Sequence, residues 1–210
     1  MIRVVIVDDH ALIRRGLRES LTEAGDIEVV GEASDYGELR ALLHDTPFDV
    51  LLLDINLPGR SGLDVLHSLA DDGRRIRTLV LTMYPEDQYA IRALKAGAMG
   101  YLNKSAEPAQ IVAAVRSLHG GRKYITPAIA EAMAERLTAD DTESPHERLS
   151  DREFQTMLRL ARGQRLSDIA TELNLSPKTL SVYRSRVLEK LGMQSNAELT
   201  AYCLRRGLID

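Results

Sequence analysis

Val50-Leu51-Leu52-Leu53 sets four apolar residues at consecutive positions and then stops at Asp54. Side chains of a strand alternate between two faces, so a run that is apolar throughout needs both faces covered. A parallel strand sandwiched between helices meets that need. Similar short runs recur at Val4–Val7, around Val29–Val30, at Leu79–Leu81 and at Tyr101–Leu102. Between them lie Ala11–Ala24, Leu39–Leu43, Leu63–Leu69, Tyr89–Ala96 and Ile111–Leu118, with apolar residues at helical spacing. Five successive βα units predict an α/β domain built on a doubly wound, five-stranded parallel sheet. Functional groups in such sheets collect where the strands end at their carboxyl edge.

Gly120-Gly121 breaks this pattern. Thr126-Pro127 then predicts a helix start, with Thr126 as cap and Pro127 in the first turn, leading into Ala128–Leu137. The polar, acidic stretch Thr138–Glu147, with Pro145, reads as a flexible tether. From Leu149 onward only helix signals remain. Ser150-Asp151-Arg152-Glu153 is a capping box opening a helix to about Ala161, and Leu166–Leu173 forms a second. Ser176-Pro177 starts a third that runs to Leu191, and Ser195 opens a fourth ending near Gly207. The expected organisation is therefore residues 1–121, a linker over 122–147 containing one helix, and a small all-α four-helix domain over 148–210.

Charge obeys the same division. Net charge is −4 overall, but residues 1–123 carry −3, residues 124–147 carry −5 and residues 148–210 carry +4. A polyanion partner is thus expected at the C-terminal end. The single cysteine, Cys203, excludes an internal disulfide and fits a reducing compartment. No stretch is long and apolar enough to span a bilayer, so a cytoplasmic protein without membrane contact is expected.

The strand ends carry the chemistry. Strand one ends in Asp8-Asp9, strand three in Asp54 and strand four in Thr82, and Lys104 comes after strand five. In a parallel sheet these converge on one edge. Carboxylates packed together repel one another unless a cation joins them, and a hard divalent ion such as Mg²⁺ resolves the conflict. With an amine and a hydroxyl beside it, such an ion makes a phosphoryl-transfer site.

The order Asp8-Asp9, Asp54, Thr82, Lys104 resembles the flavodoxin-like receiver domain of two-component response regulators across all five βα units. The resemblance implies that Asp54 accepts a phosphoryl group from a sensor histidine kinase. It also implies that Asp9, Asp54 and the backbone carbonyl of Asn56 bind the Mg²⁺, with Asp8 acting through water. Lys104 and Thr82 would contact phosphoryl oxygens, and Tyr101 would follow Thr82 inward as the conformational readout. Two departures stand out. Lys104 precedes Ser105-Ala106-Glu107-Pro108 rather than proline directly, and Met83 is bulky where receivers often have a small residue.

In the second domain, Leu166–Leu173, the turn Asn174–Pro177 and Lys178–Leu191 make a helix-turn-helix, whose second helix enters the major groove. Leu149-Ser150-Asp151-Arg152-Glu153, Asp168-Ile169-Ala170, Leu175-Ser176-Pro177-Lys178-Thr179 and Lys190-Leu191-Gly192 resemble the LuxR-type DNA-binding domain. Together with a receiver, that defines the NarL/FixJ subfamily. The resemblance places Ser181, Val182 and Ser185 towards the bases, and Lys178, Thr179, Arg184 and Lys190 nearer the phosphate backbone. Many members carry lysine where this chain has Ser181. The two resemblances together imply a DNA-binding transcription regulator, controlled by phosphorylation and dimeric when phosphorylated. Double-stranded DNA and RNA polymerase are its expected partners. Pairing through the receiver or through the final helix both stay open, as does DNA binding independent of phosphorylation. A phosphorelay or interaction module without DNA contact fits residues 176–191 poorly. A dedicated enzyme would need a substrate cap and a general acid that the chain does not offer.

Overall fold

A computed structural model describes residues 1–138 and 144–209. The chain divides into two compact units, Met1–Ala139 and Asp140–Asp210. The acidic stretch Asp140–Glu143, expected to act as a tether, lies outside the described residues.

The first unit alternates strands and helices: β1 (Ile2–Val7), α1 (Ala11–Glu23), β2 (Ile27–Ala33), α2 (Tyr36–Asp45), β3 (Val50–Leu53), α3 (Gly62–Asp71), β4 (Arg77–Thr82), α4 (Glu86–Lys95), β5 (Gly100–Asn103), α5 (Pro108–His119) and α6 (Pro127–Thr138). The five strands form one parallel sheet in the order β2-β1-β3-β4-β5. Strand alternation sorts the core. Val4, Ile6, Val50, Leu52, Leu79, Leu81 and Leu102 pack with Leu17 and Leu21 of α1 and Ile111, Val115 and Leu118 of α5. Val5, Val7, Leu51, Leu53, Val80 and Tyr101 point to the opposite face and are equally buried. The continuous apolar run in β3 is therefore the signature of a strand covered on both sides.

The register fixes the site. Val7 lies opposite Leu53, and Leu53 opposite Val80. β1 and β3 thus deliver Asp8 and Asp54, their next residues, to one edge, and the reversal of strand order between them opens a crevice there. The Asp54 N–H donates to the Val7 carbonyl (2.9 Å), and the Lys104 N–H to the Thr82 carbonyl (2.8 Å).

Helix α6 belongs to this first unit and packs against α4. Its cap is the one the sequence indicates: the Thr126 hydroxyl accepts the Ile129 N–H (3.3 Å). That same hydroxyl donates to Glu86 Oε2 at the start of α4 (2.6 Å), so one side chain both starts the helix and fastens it.

The second unit begins with a 3₁₀ turn (Pro145–Arg148), then α7 (Asp151–Ala161), α8 (Leu166–Glu172), α9 (Pro177–Leu191) and α10 (Asn196–Arg205). The Ser150 capping box at α7 is complete. At α10, the Ser195 hydroxyl accepts the Glu198 N–H, while the Glu198 carboxylate reaches back to the N–H of Gln194 rather than that of Ser195. Between α8 and α9 the chain reverses at Asn174 (φ 51°), where the Leu175 N–H returns to the Ala170 carbonyl (2.8 Å). Asparagine tolerates that left-handed geometry better than most residues. Gly192 (φ 66°) ends α9 in the same way.

Thr126→Ala should weaken α6 by about 1 kcal/mol, the usual cost of losing an N-cap. Hydrogen exchange read peptide by peptide should show roughly fivefold faster exchange in α6 with α5 unchanged. Unchanged α6 protection would show that the hydroxyl does not hold it.

Candidate phosphoacceptor site and DNA-facing helix

Asp8, Asp9 and Asp54 converge beyond the ends of β1 and β3, with Asp8 1 % and Asp54 3 % exposed. Lys104 fills the space between them: its Nζ lies 2.6 Å from Asp8 Oδ2 and 2.7 Å from Asp54 Oδ2. Like charges forced together at this edge are thus bridged by an ammonium from the end of β5. Burial pushes the Asp54 carboxyl above its ordinary range, and Lys104 pulls against that rise. Burial also works against the Lys104 charge, yet Asp54 and Asp8 outweigh it and raise the amine above its usual value. Thr82 is fully buried at the end of β4, and Asn56 is half-buried in the loop after Asp54.

Two oxygens at this site, Asp9 Oδ1 and Asp54 Oδ1, are buried without a hydrogen-bond partner. Such groups are costly in a dry site unless a cation or ligand joins them. They belong to the two carboxylates named from the sequence as direct side-chain ligands. Ligand atoms from Asp8, Asp9, His10 and Asp54 all lie within 4.8 Å of one another. The donor set is mainly hard oxygen, as Mg²⁺ requires, and fits it.

Tyr101 is already inward. Its ring is fully buried on β5 and its hydroxyl donates to the Tyr84 carbonyl (2.8 Å) in the loop before α4. Burial raises its phenol far above the normal range. Met83 is 68 % exposed, at the surface next to Thr82. After Lys104, the Asn103 side chain accepts from the Ser105 N–H (2.9 Å) and hydroxyl (2.7 Å). A side-chain turn thus shapes the stretch that lacks the expected proline.

Three contributors were not singled out from the sequence. His10 brings Nδ1 to 2.6 Å from Asp9 Oδ1 and into a 3.3 Å hydrogen bond with Asp8 Oδ1. Arg14 donates to the Asp8 carbonyl (2.6 Å). Gly62 opens α3 so close to β3 that a Cβ there would meet the Asp54 carbonyl oxygen at 2.1 Å. A glycine directly after the capping residue Ser61, where the helix itself does not ask for one, was the available signal.

On α9, Leu180, Val187 and Leu188 face the core, leaving Lys178, Ser181, Val182 and Ser185 exposed on one stripe at helical spacing. The Thr179 hydroxyl lies 2.7 Å from the capping Ser176 hydroxyl. Two expected backbone contacts are already engaged: Arg184 Nε donates to Asn196 Oδ1 (2.9 Å) and Lys190 Nζ to Glu153 Oε2 (2.6 Å). Glu153 is buried; burial would raise its pKa, but Lys190 and the Ser150 N–H prevail and hold it low. Leu199, Tyr202 and Cys203 of α10 are core residues. Burial raises the Cys203 thiol to about 11, which removes thiolate reactivity at neutral pH.

Known proteins share this architecture. Residues 4–116 match the response regulator receiver domain, and residues 147–203 match the luxR family of bacterial regulatory proteins. The chain belongs to the two-component response regulators, in the NarL/FixJ subfamily that joins a receiver to a LuxR-type DNA-binding domain. Response regulator UvrY of Escherichia coli K12 is 40 % identical over all of this chain and 97 % of its own length. Response regulator GacA of Pseudomonas aeruginosa is 36 % identical over all of this chain and 99 % of its own. Among solved structures, RcsB of Salmonella enterica serovar Typhimurium, bound to promoter rprA with the phosphomimetic BeF3-, aligns with a TM-score of 0.64 at 25 % identity. That alignment covers 96 % of this chain and 97 % of RcsB. No helix among the described residues is long and apolar enough to cross a membrane.

Two outcomes test the geometry. Gly62→Ala should destabilise the protein by about 1–3 kcal/mol, the cost of overpacking. It should also impair modification of Asp54 more than its stability loss explains, because the clash is with the Asp54 carbonyl itself. Phosphorylation by acetyl phosphate, read by mass spectrometry well below the melting temperature, measures this. For Glu153 the folded pKa is depressed, so its contribution is full above its unfolded pKa of about 4.3 and is lost as pH falls through the folded value. The stability gap between the native protein and Lys190→Met, from urea denaturation, should therefore be full near neutral pH and shrink as pH falls below about 4.3.

Proposed function

We propose that this response regulator is a phosphorylation-controlled transcription factor, with a receiver over residues 1–121, a linker over 122–147 and a DNA-binding domain over 148–210. The observation that carries the reading is Asp54. It is buried at the switch point of the sheet, held through Oδ2 by Lys104, with Oδ1 left without a hydrogen-bond partner.

Asp54 would attack the phosphorus of a sensor kinase phosphohistidine. An oxygen–phosphorus bond forms, the phosphorus–nitrogen bond breaks, and the imidazole nitrogen keeps the electron pair. Asp9, Asp54 and the Asn56 carbonyl would hold Mg²⁺, with Asp8 acting through water. The ion supplies neutralisation of phosphoryl charge. Lys104 would leave Asp54 Oδ2 for a phosphoryl oxygen, and Thr82 would donate to another. Because Tyr101 holds the Tyr84 carbonyl, and Glu86 two residues on holds Thr126, movement of Thr82 would be felt at α4 and α6. Phosphorylation would then release the DNA-binding domain or pair two chains, setting two α9 helices on adjacent half-sites.

Ser181, Val182 and Ser185 would face the bases, the exposed Val182 side chain suiting a thymine methyl. Lys178, Thr179, Arg184 and Lys190 would contact phosphates, the last two while still tied to Asn196 and Glu153. RNA polymerase and the bacterial cytoplasm complete the setting. A DNA-bound form of RcsB carrying the phosphomimetic BeF3- supports this reading.

The test is selection from random-sequence DNA at fixed salt with Mg²⁺, with and without beryllofluoride. Tighter, sequence-selective binding only with beryllofluoride, lost in Asp54→Asn, is expected. Equal selective binding in both states would remove phosphorylation from the DNA-binding step. Lys178→Ala should lower affinity on all sequences alike and reduce the salt slope by about one.

A further inference from the structure

A divalent ion in the acidic pocket accounts for its aspartates but leaves one side chain at its rim without a role. His10 occupies the capping position of α1, but its side chain caps nothing there. Its imidazole is 60 % exposed and leans on the two neighbouring aspartates: Nδ1 lies 2.6 Å from Asp9 Oδ1 and 3.3 Å from Asp8 Oδ1. The His10 N–H also donates to Asp8 Oδ1 (2.9 Å), which fixes the backbone at the rim of the pocket.

Asp9 Oδ1 and Asp54 Oδ1, oxygens of two carboxylates in the cluster of Asp8, Asp9, His10 and Asp54, are buried without hydrogen-bond partners. An ion joining those two oxygens would therefore find an imidazole nitrogen at the open edge of the pocket.

We propose that His10 is a further side-chain ligand of this ion, through Nδ1, and biases the pocket towards nitrogen-accepting first-row transition ions over Mg²⁺. The inference rests on the proposed ion site at Asp9 and Asp54. Its physical basis is ligand preference. Mg²⁺ keeps oxygen donors and water and gains little from imidazole, whereas ions such as Fe²⁺, Co²⁺ and Ni²⁺ accept it readily. An exposed ring on a helix cap can swing from Asp9 to the ion without disturbing the core.

Co²⁺ is the probe, with the full-length chain near neutral pH and no phosphodonor. Binding is followed by the visible absorption of Co²⁺ and by competition with Mg²⁺. Imidazole ligation is read separately from a hyperfine-shifted, exchangeable ring N–H proton resonance. The native protein should show that resonance. His10→Ala should lose it and bind Co²⁺ about tenfold more weakly, with Mg²⁺ affinity within about twofold and an unchanged circular dichroism spectrum. If Co²⁺ binds in a manner abolished by Asp54→Asn, yet without the ring resonance and with the same Co²⁺/Mg²⁺ ratio in His10→Ala, the His10 role is overturned and the ion site stands. If neither ion binds saturably, the ion site falls and His10 falls with it.

Discussion

A lysine ammonium clasped by two buried carboxylates is the interaction around which the first unit is organised. Lys104 touches Asp8 and Asp54 at once, though the three residues come after three different strands. Buried charges are tolerated only when paired with good geometry, and losing one partner strands the others. The parallel register, the order β2-β1-β3-β4-β5 and the crevice between β1 and β3 all serve to bring these ends level. The same crowding explains Gly62, since α3 starts against the Asp54 backbone with no room for a side chain. One amine thus neutralises two carboxylates from different strand ends.

The path away from that cluster runs through side chains gripping backbone. Tyr101, on β5, holds the Tyr84 carbonyl; Tyr84 stacks on Tyr89 of α4 with ring centroids 4.5 Å apart. Glu86 opens α4 and takes the hydroxyl of Thr126, which caps α6. The helix after the five βα units is therefore built onto α4 rather than trailing from the sheet.

The second unit divides labour along α9. One face is core, and the polar side is fastened at two points: Arg184 to α10 through Asn196, Lys190 to the α7 capping box through Glu153. Glu153 thereby closes a helix start and orients a cation. The outer stripe from Lys178 to Ser185 has little structural duty beyond the Ser185 hydroxyl's bond to the Ser181 carbonyl (3.1 Å). A rigidly held helix with an undemanding outer stripe is what sequence reading of DNA requires.

Much of this was legible in the chain itself. Runs apolar at consecutive positions mean strands covered on both faces, so Val50–Leu53 alone implied helices on either side of a parallel sheet. The acids, hydroxyl and lysine at strand ends then had to share an edge. Ser150, Ser176 and Thr126 announced helix starts because capping is a local matter between residues three apart. Contacts between residues far apart in the chain, or hidden behind an ordinary identity, could not be read that way. Lys104 could have reached for solvent; only the folded crevice places it between Asp8 and Asp54. The need for glycine at Gly62 arises only where α3 meets the Asp54 backbone. Glu86 and Thr126, forty residues apart, find each other only because α6 lies on α4. Periodicity and capping depend on neighbours along the chain, so the elements and the residues at their ends were written in the amino-acid order. Charge pairing, close approach and helix docking depend on neighbours in space, and those were set only when the chain had folded.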